Sequence, residues 1–294
     1  MSTIDVCSYP CSRKSSQAAS AMVSRDDALG RPARGSVDMK PTLLAALGAR
    51  DGRCPGSDGT VPGGCIVGRD PSIATSEERR SAMLDIQTVG LSPDYVPYLD
   101  GWALQRSLHA DIVAGTRSDT LLLLEHEPVY TAGARTARHE RPTDGTPVVD
   151  VDRGGKITWH GPGQLVGYPL VRLVEPVDVV AHVRRLEQLL IDALHEFDVD
   201  GYRVEGRSGV WVRRPLGEDK VAAIGVRVQR GVTMHGFALN CDNSLAGFRG
   251  IIPCGITDAG VTTVSEIVGA DISPSDVIDT VSRVFADDFA GVPA

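Results

Sequence analysis

The stretch from Lys220 to Cys241, KVAAIGVRVQRGVTMHGFALNC, is the starting point for interpreting this chain. Two runs rich in apolar and β-branched residues, Lys220 to Gln229 and Val232 to Cys241, are separated by Arg230-Gly231. Short apolar runs on either side of a two-residue turn that contains glycine are typical of a β-hairpin. The stretch therefore predicts two antiparallel strands.

Lys220 opens the first of these strands. Side chains alternate between the two faces of a strand, which predicts one shared face for Lys220, Ala222, Ile224, Val226 and Val228. A lysine at the start of an apolar face is expected to be partly desolvated, and desolvation lowers the pKa of an ammonium until the amine is a usable base. The alternative is a lysine at a strand end whose ammonium reaches water.

Segments of helical and strand periodicity alternate from residue 83 onward, which predicts a mixed α/β domain with one sheet flanked by helices. One helix carries the stripe Tyr98, Trp102, Gln105, Leu108 and Ile112, beginning after Pro93-Asp94 and ending at Gly115. A second carries Val179, Val183, Leu186, Leu190, Ala193 and Phe197, with Asp178 as its N-cap, and a third carries Val277, Ile278, Val281, Val284 and Phe285. The other predicted strands are Thr120 to His126, Gln164 to Leu173 and Val210 to Arg213.

Residues 1–82 differ in composition from the predicted domain of residues 83–294. They are rich in Gly, Pro and Ser and contain one aromatic residue, Tyr9. Such a segment buries too little apolar area to offset the entropy of ordering its backbone, so we predict a disordered extension, or an over-called start codon before Met83. An organelle transit peptide is the alternative, but such peptides are poor in acidic residues and residues 1–82 are not. Residues 1–82 contain four cysteines, Cys7, Cys11, Cys54 and Cys65. No histidine lies near them at the spacing of zinc ligands, so the sequence gives little support for a zinc site.

The net charge of −8 and the pI near 5.4 argue against a partner that is a nucleic acid or an anionic membrane surface. No run of about eighteen apolar residues is present, and the first residues lack the apolar core of a secretory signal. We therefore expect a cytoplasmic protein with reduced thiols that acts on a small molecule or a protein.

A glycine-rich stretch runs from Arg153 to Gln164, RGGKITWHGPGQ. It lacks the strand and helix context of a dinucleotide site and the ending of a P-loop. Glycines at this density favour close approach of an extended ligand to the backbone, and a plain tight loop over the sheet is the alternative. His235-Gly236-Phe237-Ala238-Leu239-Asn240 is a second, weaker signal of the same kind.

Cys254 lies in the turn-like segment GIIPCGI, between Pro253 and Gly255. A lone cysteine is usually an inert core residue, and Cys241 at the end of a strand fits that description. A nucleophilic cysteine requires a nearby cation or base and donors for a developing oxyanion. The sequence by itself does not place Lys220 beside Cys254.

Four motifs together resemble the lipoyl(octanoyl) transferase family, also called the lipoate-protein ligase B enzymes. They are RGGKITWHGPGQ from Arg153, KVAAIG from Lys220, HGFALN from His235 and PCG around Cys254. They occur in the family's order, and the upstream EHEPVYTAG from Glu125 is similar as well. The resemblance covers about residues 83–270, with mild departures at Lys156 and Trp159.

The resemblance implies a biotin/lipoate protein ligase-like fold and transfer of octanoyl from octanoyl-acyl carrier protein to a lysine of lipoyl domains. The acceptors would be lipoyl domains of 2-oxoacid dehydrogenase complexes and the glycine cleavage H protein, without a metal or cofactor. Cys254 would form an acyl thioester, Lys220 would lower the pKa of its thiol, and the Gly255 amide is a candidate oxyanion donor. The acyl substrate would be bound by Arg153, Gly154, Gly155, Lys156, Ile157, Thr158, Trp159, His160, Ala223, Ile224, Gly225, Gly236, Phe237 and Ala238.

Three other functions are compatible with parts of this pattern. An ATP-dependent lipoate ligase shares the fold but has no need of Cys254. A cysteine hydrolase would pair Cys254 with His160 or His235, which otherwise serve in positioning or as ordinary polar residues. A non-catalytic lipoyl-domain binding module would need neither Cys254 nor Lys220, so the presence of both favours the transferase.

Overall fold

The computed structural model describes residues 83–143, 145–215, 217–251 and 259–290. The predicted extension of residues 1–82, Cys254 and Gly255 lie outside these ranges. The helices are α1 (Tyr98–Ala114), α2 (Val179–His195), α3 (Val264–Val268) and α4 (Pro274–Ala290). The strands are β1 (Asp85–Gly90), β2 (Thr120–Leu124), β3 (Val129–Ala132), β4 (Val148–Asp150), β5 (Thr158–His160), β6 (Gln164–Leu170), β7 (Tyr202–Val204), β8 (Arg207–Arg214), β9 (Gly217–Gln229), β10 (Val232–Asn240) and β11 (Gly260–Val261).

Eight of the described strands form one mixed sheet in the order β1-β2-β6-β10-β9-β8-β7, with β11 parallel to β9. β1 and β2 are parallel, and the remaining pairs along this order are antiparallel. β3, β4 and β5 form a second, three-stranded sheet. The sequence of β2, TLLLL, is buried throughout because both faces of the large sheet are covered.

Helices cover the large sheet on both faces, which confirms the predicted architecture. α2 and α4 pack on one face through residues such as Leu186, Leu190 and Phe285. α1 packs on the other face through Leu108 and Ile112. Within the described ranges, no helix combines the length and the apolar composition needed to cross a bilayer.

The predicted helix boundaries are mostly confirmed. The Asp178 side chain accepts a hydrogen bond from the Ala181 amide and caps α2, and α1 ends at Gly115 in the left-handed conformation. The predicted start of α1 after Pro93-Asp94 is confirmed as well. The helix begins at Tyr98, because Pro97 has extended backbone angles at the N-cap position.

The hairpin is confirmed, with β9 beginning at Gly217 and therefore before the predicted Lys220. β9 and β10 pair from Gln229–Val232 to Ala222–Leu239. Both turn residues have positive φ, 53° at Arg230 and 74° at Gly231, which is the conformation that matches strand twist in a two-residue turn. The hairpin therefore lies in the centre of the large sheet and forms one wall of a cavity.

Candidate active site

A cavity of about 240 Å³ lies on the α1 side of the sheet, above the hairpin. Its volume is smaller than the roughly 300–1,000 Å³ of pockets for drug-sized ligands, which suits a slender ligand. Its lining combines the predicted segments with residues from other parts of the chain: Tyr98, Arg135, Arg153, Gly155, Lys156, Thr158, His160, Val166, Tyr168, Gly206, Arg207, Ser208, Lys220, Ala223, Ile224, Gly225, His235, Gly236, Phe237 and Ala238. One end is buried around Tyr98, His160 and Tyr168, and the other opens among Arg135, Gly206 and Ser208.

Lys220 lies in the wall of this cavity and is 7% exposed. Its Nζ atom lies 4.6 Å from the centre of the Trp211 ring, a cation–π distance. Its backbone carbonyl accepts a hydrogen bond from the Thr262 amide at 3.1 Å, directly after β11. The predicted desolvation of the Lys220 side chain is therefore confirmed, and the alternative of a lysine extended into water is wrong.

The predicted face of Lys220 was wrong, because β9 contains a bulge. Ala222 pairs with Val210, but Lys220 pairs with Trp211, so Val221 is an extra residue in β9. A bulge interrupts the alternation of side chains. Ala222, like Val210, belongs to the core beneath α2 and α4. Lys220 projects from the opposite face, together with Trp211, and so reaches the cavity.

Small residues of the hairpin leave room for the cavity. Ala223 pairs with Ala238 and Gly225 pairs with Gly236 on the cavity face. The side chains of Ile224 and Phe237 belong to the core on the other face, so these two residues contribute backbone to the lining. This wall therefore consists of methyl groups and backbone, which an aliphatic chain contacts without leaving polar groups unpaired.

The side chain of Arg153 organises the glycine-rich loop. Its Nη1 atom donates to the carbonyls of Gly154 and Lys156 at 3.0 and 2.9 Å, and its Nη2 atom donates to the carbonyl and hydroxyl of Thr131, both at 2.9 Å. The Gly154 amide donates to the Val226 carbonyl at 3.0 Å and ties the loop to β9. The loop thus closes over Gly225, where an added Cβ would lie 3.1 Å from both Arg153 Cδ and the Gly154 carbonyl oxygen.

The structure brings most of the predicted binding residues to the cavity, but Gly154, Ile157 and Trp159 do not line it. The side chains of Ile157 and Trp159 pack with Phe248 and Ile251 beneath the small sheet. Lys156 lines the cavity and forms an ion pair with Glu140. The glycine-rich loop therefore presents one side to the cavity and the other to a separate apolar cluster.

His160 is held in one neutral form. Burial, aided by His126 and Arg153, lowers the pKa of His160 to about 3. Its Nδ1 atom donates to Gln164 Oε1 at 2.7 Å, since an amide oxygen only accepts, and its Nε2 atom then accepts from the Thr131 hydroxyl at 3.3 Å. With so low a pKa and with both ring nitrogens in hydrogen bonds, His160 is poorly suited to the general-base role that a cysteine hydrolase requires.

Sequence reasoning missed several residues at the cavity, among them Tyr98, Tyr168 and Arg207. Tyr168 donates from its hydroxyl to His126 Nε2 at 2.6 Å, and burial lowers the pKa of His126 to about 4. Burial also raises the pKa of Tyr98 to about 12, so its phenol stays protonated. The alternation of Val166 and Tyr168 along β6 was an available signal for Tyr168, but Arg207, which pairs with Val204, reaches the site only through the folding of the sheet.

Of the two cysteines discussed above, Cys241 and Cys254, the structure describes only Cys241. Cys241 is fully buried, and burial raises the pKa of its thiol, which confirms an inert core residue. Cys254 and Gly255 lie outside the described residues. The next described residue is Ala259, and Val261 pairs with Lys220. Among the described side chains, no group of His, Cys, Asp and Glu is arranged to hold a metal ion.

The fold is that of lipoate-protein ligases. It matches the bipartite lipoate protein ligase of Thermoplasma acidophilum with a TM-score of 0.53 and 16% identity, covering 70% of this chain and 84% of that one. A lipoate-protein ligase A bound with ATP matches with a TM-score of 0.53 and 15% identity, over 70% of this chain and 85% of the other. A family profile described as "Lipoyl protein ligase A/B catalytic domain" matches residues 97–286.

Curated relatives narrow the class further. An octanoyltransferase of Clavibacter michiganensis subsp. michiganensis is 62% identical over 201 residues, which are 67% of this chain and 86% of the relative. An octanoyltransferase of Rhodococcus opacus is 60% identical over 193 residues, 64% of this chain and 75% of the relative. The chain belongs to the lipoyl protein ligase A/B catalytic domain family and, within it, to the octanoyltransferases.

Proposed function

We propose that this enzyme transfers octanoyl from octanoyl-acyl carrier protein to a lysine of a lipoyl domain through a thioester on Cys254, the first step of endogenous protein lipoylation. The observation that carries the proposal is the burial of Lys220 in the wall of a small cavity of about 240 Å³. The choice of octanoyl as the transferred group is supported by the relatives that are named octanoyltransferases. Residues 83–294 form the catalytic domain in this proposal.

The chemistry proceeds in two transfers. The Lys220 ammonium stabilises the Cys254 thiolate, whose sulfur attacks the donor thioester carbonyl. The carbon–sulfur bond to the donor breaks, and the donor takes a proton from the Lys220 ammonium and leaves as a thiol, so that Lys220 becomes a neutral amine. The acceptor amine then attacks the acyl-enzyme, Lys220 takes its proton, and the carbon–sulfur bond to Cys254 breaks. The Gly255 amide donates to the oxyanion in both transfers.

The pairing of β11 with β9 supports a role for Lys220 beside Cys254. Cys254 lies a few residues before β11 in the sequence, and β11 pairs with β9 at Lys220. The Thr262 amide and the Lys220 carbonyl add a further bond between the two segments. The acyl chain would then extend from Lys220 into the cavity, over Ala223 and Ala238.

The acyl-binding residues in this proposal are the predicted ones that line the cavity, with Ile157 and Trp159 supporting the loop from its other side. Lipoyl domains are the acceptors, those of 2-oxoacid dehydrogenase complexes and the glycine cleavage H protein. The reaction uses no cofactor and no nucleic acid. The cytoplasm, where thiols remain reduced, is the compartment that suits a cysteine nucleophile.

Intact-mass measurement tests the covalent step. Incubation with octanoyl-acyl carrier protein alone should add one octanoyl group to the wild type and to Cys241→Ala, the matched control for loss of a thiol. Cys254→Ala should remain unlabelled. An adduct on Cys254→Ala, or none on the wild type, contradicts the thioester.

The second transfer separates the alternatives. Addition of a lipoyl domain should clear the adduct without ATP and leave the octanoyl group on the domain. Lys220→Gln should slow this clearance by about 10²–10⁴, the usual contribution of a general base. A strict requirement for ATP would identify a ligase, and release of free octanoic acid without an acceptor would identify a hydrolase.

A further inference from the structure

A proline interrupts the pairing of two central strands. Pro169 lies in β6, between β2 and β10, and has no N–H to donate. The β6–β10 ladder runs from Gln164–Asn240 to Gly167–Phe237, and a single bridge then joins Arg172 and Val232. In the gap, the Thr233 hydroxyl donates to the Pro169 carbonyl at 2.6 Å and accepts from the Val171 amide at 2.9 Å. The Thr233 amide also donates to the Val171 carbonyl at 3.0 Å, so one residue of β10, through its side chain and its amide, holds the strands together beside Pro169.

The backbone of β10 is kinked at His235, opposite this gap. His235 has φ of 58°, the left-handed conformation that is uncommon for residues other than glycine. Its amide donates to Gln105 Oε1 of α1 at 2.9 Å. The next residue, Gly236, has no room for a side chain. An added Cβ would lie 2.2 Å from the Gly167 carbonyl oxygen and 2.5 Å from Pro169 Cδ.

The kink directs the His235 side chain into the cavity wall. Its strand partner Val226 and its neighbour Phe237 belong to the core beneath α2 and α4. The imidazole of His235 instead lies on the α1 side, 6.1 Å from the Trp102 ring, and lines the cavity. Local backbone strain of this kind persists when the surrounding structure holds it and is concentrated at functional sites.

The imidazole is fixed in place. His235 is 1% exposed, and its Nε2 atom contacts Asp152 Oδ1 at 2.7 Å. Arg227 of β9 forms an ion pair with the other oxygen of Asp152. His235 is thus held by α1, by its pairing with β9 and by Asp152, and it presents a rigid wall to a ligand.

His235 is also the β10 residue of the cavity farthest from Lys220. Along β9 the lining residues run from Lys220 to Gly225, and along β10 they run from Ala238 through Gly236 to His235. Strand rise places the Cα atoms of Lys220 and His235 about 17–20 Å apart. An extended eight-carbon acyl chain is about 9 Å long, which leaves room for the Lys220 side chain at one end and the imidazole at the other.

We propose that His235, aimed into the cavity by the kink in β10 and held by Asp152, is the wall that limits the length of the acyl chain. This inference rests on the proposed function, since it concerns the acyl group that Cys254 receives. Shortening the side chain at position 235 opens space beyond the eighth carbon.

The experiment compares labelling rates with acyl-carrier-protein donors of six to twelve carbons. His235→Asn is the main variant, because asparagine is shorter and tolerates the left-handed conformation. His235→Gly, which has no strain at this φ, is the second. His109→Asn is the matched control. His109 is a buried histidine as well, but it belongs to α1, contacts the Gln229 carbonyl and does not line the cavity.

The wild type and His109→Asn should label fastest with octanoyl and fall off sharply at decanoyl. Both His235 variants should raise the decanoyl-to-octanoyl rate ratio at least about tenfold, the scale on which hydrophobic pockets discriminate a methylene. An unchanged ratio in an active His235 variant overturns the inference, as does a wild type that accepts dodecanoyl as fast as octanoyl. A wild type labelled by no donor instead contradicts the proposed function.

Discussion

Gly209 lies directly beneath the Lys220 side chain. It has φ of 111°, and an added Cβ would lie 2.5 Å from the Ala222 carbonyl oxygen and 3.3 Å from Lys220 Cε. Its amide donates to Glu187 Oε1 of α2 at 2.9 Å. The bulged part of β9 and the lysine it presents therefore both depend on the absence of a side chain at this position.

We expect Gly209→Ala to destabilise the protein by about 1–3 kcal/mol, because backbone strain and a contact with backbone combine at this position. The melting temperature should fall by roughly 2–4 °C per kcal/mol, as measured by thermal unfolding followed by circular dichroism.

Gly206→Ala is the matched control for this change. Gly206 also has positive φ, 75°, but an added Cβ would meet no atom within 4 Å. The control should lose less stability than Gly209→Ala. Equal losses would mean that backbone conformation alone, without the contact to Ala222, sets the cost.

At the scale of secondary-structure elements, α2 contributes an apolar stripe to the core and a defined N-terminus. The side chain of Asp178 accepts from the Ala181 amide at 2.9 Å. Further along the helix, buried Glu187 pairs with Arg184 and Arg203 and accepts the Gly209 amide. α2 thus supports the sheet on the face opposite to the cavity.

Asp178→Ala should lower the free energy of unfolding by about 0.5–2 kcal/mol, because the Ala181 amide loses its cap. Urea denaturation measures this loss. Asp178→Asn retains an acceptor at the N-cap and should lose only a fraction as much. A loss as large as that of alanine would show that the charge, and not the hydrogen bond, stabilises the helix start.

At the scale of the whole molecule, three buried histidines make stability depend on pH. Burial lowers the pKa of His126 to about 4, of His160 to about 3 and of His182 to about 4. In the unfolded chain a histidine titrates near about 6.5. Between these values the unfolded state binds more protons, so stability present above about pH 6.5 is lost as the pH falls toward about 3–4.

We expect the free energy of unfolding to fall by several kcal/mol between pH 7 and about pH 5, measured by urea denaturation across that range. His182 isolates one contribution, since both of its ring nitrogens lack hydrogen-bond partners among the described residues. His182→Leu should reduce the dependence of the free energy of unfolding on pH by an amount that corresponds to the uptake of about one proton on unfolding. Replacing the exposed His195 by glutamine serves as the control, and an unchanged slope in His182→Leu would contradict this origin of acid sensitivity.

Local pattern alone determined a large part of this protein. The hairpin followed from two apolar runs around Arg230-Gly231, and the N-cap of α2 followed from Asp178, because these structures depend on residues adjacent in the chain. Motif resemblance placed Lys220, His160 and the hairpin segment in one site, and the cavity contains all of them.

Tertiary structure alone decided which way the key side chains point. The bulge at Val221 arises from pairing with β8, and it moves Lys220 from the expected core face to the cavity face. The kink at His235 arises opposite Pro169 on a strand far away in sequence. Strand alternation predicts a face only while every residue is paired in register, and register between distant strands is set by the packing of the whole sheet.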